Sequence, residues 1–92
     1  MKVVIDMDGE MEQYAPDIRR FVGLMCEKLH KNVHKGRWEH KTRKQCFQGL
    51  MGEIRELRES LDGFYDDEAV IRECADVANF AMIIASVVER GR

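Results

Sequence analysis

The segment from about residue 68 to 90 places the strongest limit on the fold. It contains no glycine or proline, and its apolar residues lie on most sides of a helix of about six turns. A helix that is apolar all round is normally buried all round. Two further helices in a chain of 92 residues are too few to cover it. We therefore predict an all-α bundle of about three helices per chain, completed by homo-oligomerisation to a dimer or a tetramer.

Start and stop signals divide the rest of the chain into two more predicted helices. The first, at residues 16–35, begins at Pro16 and ends before Gly36. The second, at residues 42–61, begins with a capping box of Thr42 and Gln45. On it, an apolar stripe is predicted to be buried, comprising Phe47, Leu50, Ile54, Leu57 and Leu61.

The N-terminal residues 1–13 are β-prone and then turn-like, and they predict a short strand or an extended arm. Too few residues are involved to define a sheet. With helices at 16–35, 42–61 and 68–90, the whole chain, residues 1–92, is expected to form one domain.

Composition and charge narrow the class of protein. A content of 45% hydrophobic and 35% charged residues is typical of a folded protein. Because no stretch resembles an export signal or a membrane span, a cytoplasmic protein without membrane contact is expected. The three cysteines are odd in number and widely spaced, which favours buried thiols over disulfides.

Positive charge is concentrated in one part of the sequence although the net charge is -2. The cluster contains all three histidines and Lys28, Lys31, Lys35, Arg37, Lys41, Arg43 and Lys44. Such a patch attracts phosphates, but basic residues after a helix also suit its negative C-terminal end. A pI of about 5.9 argues against a general nucleic-acid binder, so no specific nucleic-acid partner is expected.

Three other site types are weakly suggested and are disfavoured. Asp6 and Asp8 after an apolar run resemble a haloacid-dehalogenase nucleophile motif, but the alternating strands and helices of that fold are missing. An EF-hand fails because the ligand series after Asp8 breaks down. Cys26, His30 and His34 are spaced as zinc ligands would be on a helix, but no fourth ligand is evident.

Four acidic residues form the pattern that carries chemistry. Glu53 and Glu56 are three residues apart on the second helix, and Glu73 and Asp76 repeat that spacing on the third. Asp76 and Asn79 interrupt an apolar helix interior, where an unpaired charge costs several kcal/mol. Mg²⁺, which prefers hard oxygen ligands, is a natural compensating partner, with Mn²⁺ a possible substitute. Alone, the second-helix pair fits a solvated, salt-bridged face better than a metal site; the third helix shifts the balance toward a metal site.

Four residues near the acids are candidates for substrate contacts, each with an ordinary structural alternative. Lys35 and Arg37 are placed to stabilise phosphate oxygens, or they belong to a solvated basic loop. Trp38 is a candidate for stacking on a base, or a core or interface residue. Asn79 is a candidate metal ligand or partner of sugar hydroxyls, or a satisfied interhelical amide.

These motifs resemble those of the MazG-like superfamily of all-α nucleotide pyrophosphohydrolases. The signature is an ExxE pair followed by an ExxD pair on the next helix, matched here at residues 53–56 and 73–76. Residues 73–82 and 35–38 also resemble MazG-like proteins of phages and bacteria, and the resemblance covers roughly residues 18–89. Many members have a further acid before the first glutamate, where this chain has Gly52.

The resemblance implies an enzyme that hydrolyses a nucleoside triphosphate to the monophosphate and pyrophosphate. It assigns Mg²⁺ binding and catalysis to Glu53, Glu56, Glu73 and Asp76. A deoxynucleotide, a noncanonical nucleotide or phosphoribosyl-ATP is an alternative substrate. A different class of function is a catalytically silent helical interaction module, in which the same acids hold a structural metal.

Overall fold

A computed structural model describes residues 4–63 and 66–91. The regular secondary structure of these residues is entirely helical, without any strand. The helices are α1 at Ala15–Lys31, α2 at Arg43–Asp62 and α3 at Asp67–Glu89, with short 3₁₀ helices at Gly9–Tyr14 and Val33–Lys35. The prediction of an all-α chain with three helices is confirmed. No helix in this part of the chain has the length and apolar character needed to cross a membrane.

Local hydrogen bonds explain where α2 and α3 begin. The Thr42 side chain accepts from the Gln45 backbone N–H at 3.2 Å, and the Gln45 side chain accepts from the Thr42 backbone N–H at 2.9 Å. This is the predicted capping box. Asp66 caps α3 by accepting from the Ala69 backbone N–H at 2.8 Å.

The N-terminal half differs from the predicted boundaries in two places. The helix predicted to continue to residue 35 ends at Lys31, and a 3₁₀ turn follows it up to Gly36, whose φ of 80° suits a residue without a β-carbon. The predicted extended arm is wrong for residues 9–13, which form a 3₁₀ helix. Residues 4–8 have no regular structure, although the Ile5 carbonyl accepts a hydrogen bond from Arg19 Nε at 3.1 Å. Residues 1–3 of the arm lie outside the described residues.

Helix α3 lies at the centre of the fold. Both α1 and α2 pack against it, whereas α1 and α2 do not pack against each other within the described chain. Helix α2 approaches α3 closely at Gly49, where a β-carbon would overlap with the Phe80 ring. A cleft is therefore left between α1 and α2 above the surface of α3.

The packing of one chain is open, and its fully buried apolar residues are few: Ala15, Cys46, Ala75 and Val87. The accessible surface is 7090 Å², against about 5,500 Å² for a compact monomer of this mass. The radius of gyration is 14.6 Å, against about 12 Å for a compact domain of this length. A single chain thus forms an open helical layer.

The α2 stripe that was predicted to be buried is largely exposed in the single chain. Phe47, Ile54 and Leu61 are 54%, 39% and 64% exposed. The α2 residues that are fully buried are instead Cys46 and Ser60, which lie on a different face of the helix. Leu50 and Leu57 of the same stripe are half-buried, so a single chain covers the predicted apolar face only in part.

Candidate functional site

Three of the four predicted acids converge between α2 and α3. Glu53 of α2 and Glu73 and Asp76 of α3 each offer a carboxylate oxygen, and these oxygens lie within 4.8 Å of one another. Oxygens that share one Mg²⁺ at about 2.1 Å lie about 3–4 Å apart, so small side-chain movements would suffice to bring them together. We call these three residues the acid cluster. The i, i+3 spacing of Glu73 and Asp76 places both carboxylates on the side of α3 that faces Glu53.

Glu56, the fourth predicted acid, is more exposed than the other three. It interacts with both Glu53 and Glu73, but it is not one of the three residues whose oxygens converge.

Burial and mutual repulsion make the acid cluster electrostatically unfavourable in the metal-free protein. Burial, followed by the neighbouring Glu56, Asp76 and Glu73, raises the pKa of Glu53 to about 7. The pKa of Glu73 is also raised, first by burial and then by Glu56 and Asp76. The Oε2 atoms of Glu53 and Glu73 are both buried without a hydrogen-bond partner. Orphaned carboxylate oxygens of this kind fit a hard cation.

Asn79 adds a third unpaired oxygen beside the acid cluster. The residue is only 6% exposed. Its Nδ2 donates to the Met25 carbonyl of α1 at 3.1 Å, whereas its Oδ1 has no partner. The interhelical amide considered from the sequence is thus half satisfied, and a buried acceptor is left for a ligand.

Lys28 of α1 contacts the acid cluster, whose own residues lie on α2 and α3. Its Nζ lies 3.2 Å from Asp76 Oδ2, and the two side chains are 26% and 20% exposed. Sequence reasoning placed Lys28 in the basic patch and missed this contact. A partial signal was present, because Lys28 is three residues after Met25 and so lies on the same side of α1.

A cavity of about 530 Å³ occupies the cleft between α1 and α2. This volume is within the range typical of small-molecule sites, roughly 300–1,000 Å³. Acidic, amide and apolar groups line its inner part: Glu53, Asp76, Asn79, Leu29, Phe80 and Ile83. The connector before α2 lines the outer part with Lys35, Arg37, Trp38, His40 and Lys41. All four predicted substrate-contact residues therefore line the same cavity as Glu53 and Asp76, while Glu56 and Glu73 do not.

Polar contacts fasten the connector to the C-terminal part of α3. Trp38 Nε1 donates to Ser86 Oγ at 3.3 Å, and the Arg37 guanidinium lies 4.6 Å from the centre of the Trp38 ring. Glu39 accepts from Arg37 and, at 2.9 Å, from Arg90 Nη1. The hydrogen bond from Arg37 is the main reason why the pKa of Glu39 is lowered to about 2. The Arg37 guanidinium is therefore already bound to Glu39, whereas Trp38 both packs against α3 and lines the cavity.

The zinc alternative gains no support in the described part of the chain. The acid cluster is the only group of three metal-ligating side chains found there, and Cys26, His30 and His34 do not form another. Of the three cysteines, Cys46 is buried and Cys26 and Cys74 are half-buried free thiols.

Comparisons with known proteins leave the family resemblance as a hypothesis. No protein-family model matches the chain, and no significant match was found among curated proteins or solved structures. The function of the chain is therefore inferred from the geometry of the acid cluster and the cavity.

Proposed function

We propose that this protein is a Mg²⁺-dependent nucleoside triphosphate pyrophosphohydrolase. The observation that carries the proposal is the convergence of three carboxylates, two with orphaned buried oxygens, beside a cavity that has a basic and aromatic outer part. A cluster of several carboxylates is by itself common on protein surfaces. Here the buried and unpaired Asn79 Oδ1 gives a second, independent indication that a ligand completes the site.

The chain's own residues would divide the work of binding. Glu53, Glu73 and Asp76 would hold Mg²⁺ or Mn²⁺, with Glu56 beside them at the solvent edge. When bound, the ion supplies Lewis-acid neutralisation of phosphate charge. Because the pKa of Glu53 is about 7 in the metal-free chain, binding of the ion would release a proton from this carboxyl group near neutral pH.

The cavity wall offers complementary contacts for a nucleotide. Lys35 and Lys41 supply positive charge for the phosphates. Arg37 would add those of its guanidinium N–H groups that do not donate to Glu39. The Trp38 ring is an apolar surface against which a base would stack. Asn79 Oδ1 would accept a hydrogen bond from a sugar hydroxyl, which would satisfy its orphaned lone pairs.

The first test is the identity of the inorganic product. Resemblance to the MazG-like superfamily places the attack at the α-phosphorus, so ribo- and deoxynucleoside triphosphates screened with Mg²⁺ should yield pyrophosphate. Both pyrophosphate and orthophosphate would be measured, without any added pyrophosphatase. Orthophosphate as the primary product would reject the mechanism. Metal binding without turnover of any triphosphate, noncanonical nucleotide or phosphoribosyl-ATP would favour the interaction module.

We also propose that the chain functions as a homo-oligomer, either a dimer or a tetramer. Phe47, Ile54 and Leu61 are the exposed members of the α2 stripe. Exposed Met51 extends the stripe between Phe47 and Ile54, and α3 adds exposed Ile71 and Met82. The accessible surface exceeds that of a compact monomer by about 1,600 Å². That excess is comparable to what each partner of an obligate dimer buries, about 1,000–2,500 Å².

Light scattering at low micromolar concentration should therefore report a dimer or a tetramer. Met51→Glu places a charge in the middle of the stripe and should shift the population toward monomer, because an unpaired charge is costly at an apolar interface. Gln48→Glu is a matched control, since Gln48 is an exposed residue of the same helix outside the stripe. A monodisperse parent monomer would contradict the proposal.

A further inference from the structure

Lys28 is in an unusual position for a surface lysine. It approaches Asp76 from α1, while the acid cluster itself is built on α2 and α3. Both side chains of the ion pair are mostly buried, and Lys28 also lines the cavity. Its contact is made with one of the three carboxylates that converge, and Lys28 lowers the pKa of Glu73 as well.

The same carboxylate cannot serve the ammonium and a divalent cation equally well. Two cations held by one carboxylate repel each other, and the partly buried setting screens that repulsion less than water does. The lysine side chain, in contrast to the helices, is flexible, with a compact charge on a four-carbon stem. A second environment for the ammonium is available, because Lys28 lines the same cavity as Lys35, Arg37 and Lys41.

We propose that Lys28 is a positioning residue that competes with the divalent metal for Asp76 and, once displaced, turns its ammonium to the phosphates of the ligand. The inference rests on the proposed function, because it needs the metal site of the acid cluster. Lys28 then links the two binding events. Metal binding frees a cation for the anion, so the anion binds more tightly to the metal-loaded protein, and linkage requires the converse to hold.

The first arm of the test measures metal affinity alone, without nucleotide. Mn²⁺ would be titrated calorimetrically into the parent, Lys28→Met and the control Lys31→Met, which changes an exposed lysine of the same helix. Lys28→Met should bind Mn²⁺ at least about fivefold more tightly than the parent, the lower end of typical coupling between sites. Lys31→Met should match the parent. Lys28→Arg keeps the charge and should bind Mn²⁺ no more tightly than the parent, which guards against a folding defect in Lys28→Met.

The second arm measures the anion. Trp38 is the only tryptophan and lines the cavity, so its fluorescence reports occupancy during titration with inorganic pyrophosphate at saturating Mg²⁺. Lys28→Met should bind pyrophosphate at least about fivefold more weakly than the parent.

The outcomes separate the two proposals. A parent that binds Mn²⁺ with the same affinity as Lys28→Met would overturn the role of Lys28 and leave the proposed function standing. Unchanged pyrophosphate binding in Lys28→Met would likewise reject the anion contact. A parent that binds no divalent metal would overturn both proposals.

Discussion

Replacing Asp76 by asparagine is expected to lower nucleotide turnover by at least about a hundredfold, the scale seen when a key charge-stabilising group is removed from an active site. The amide keeps the size of the side chain but removes its charge. Asp76 is the residue where the acid cluster, Lys28 and the cavity meet. The measurement is the initial rate of pyrophosphate release at saturating Mg²⁺.

The metal-free Asp76→Asn variant should melt close to the parent. Loss of the charge relieves repulsion from Glu53 and Glu73 but also ends the ion pair with Lys28, and these effects oppose each other. Glu59→Gln is the matched control, because Glu59 is an exposed acid on α2 and is not one of the three clustered residues. It should retain the parental rate. Parental turnover in Asp76→Asn would show that the acid cluster is not the active site.

The metal-free protein is expected to lose stability as the pH rises from about 5 to about 8. Glu53 has a pKa of about 7 in the folded chain against an ordinary value of 4.5, so the folded state holds this proton more tightly than the unfolded state. The stabilisation is complete below about pH 4.5 and is lost as the pH rises through about 7. The raised pKa of Glu73 acts in the same direction. Glu39 has the opposite sign, but its pKa of about 2 confines the effect to acid below this window.

Glu53→Gln should flatten this pH dependence by removing the charge that repulsion and burial disfavour. At pH 8 the metal-free variant should exceed the parent in unfolding free energy by on the order of 1 kcal/mol, allowing for the partial exposure of the side chain. Urea unfolding between pH 5 and 8 with a chelator present would measure it. Contributions that are common to both proteins cancel in the difference. The assigned burial of Glu53 would be wrong if the two proteins showed parallel pH profiles.

The sequence was sufficient to predict the three α-helices, the capping box of α2 and the acidic pairs, but not the end of the first helix or the 3₁₀ helix before it. Capping at Thr42 and Asp66 follows from residues three apart, which interact within one helical turn. The polar residues of α3 were conspicuous because Asp76 and Asn79 interrupt an apolar run. That signal predicted a group of four acids. The fold brings Glu53, Glu73 and Asp76 together, whereas Glu56 is not among the converging residues.

Tertiary contacts were less accessible from the sequence. The position of Lys28 beside Asp76 depends on how α1 is rotated and placed on α3, and helical periodicity does not determine this. The exposed stripe at Phe47 and Leu61 illustrates the same difficulty, because an apolar face can meet its own chain or another one. The hydrogen bond from the Asn79 amide to the Met25 carbonyl is a contact between helices, and the sequence does not give it.

The most direct test of the central claim, a divalent-metal site in the acid cluster, is the melting temperature of the parent with and without Mg²⁺ at pH 8. A ligand that binds only the folded state stabilises it by mass action. At ten times the dissociation constant, the expected rise is roughly 6–11 °C for a domain of this size. KCl at matched ionic strength controls for general screening of the acids. A rise with Mg²⁺ beyond that of KCl is the predicted result, and equal melting temperatures in the two salts would contradict the metal site.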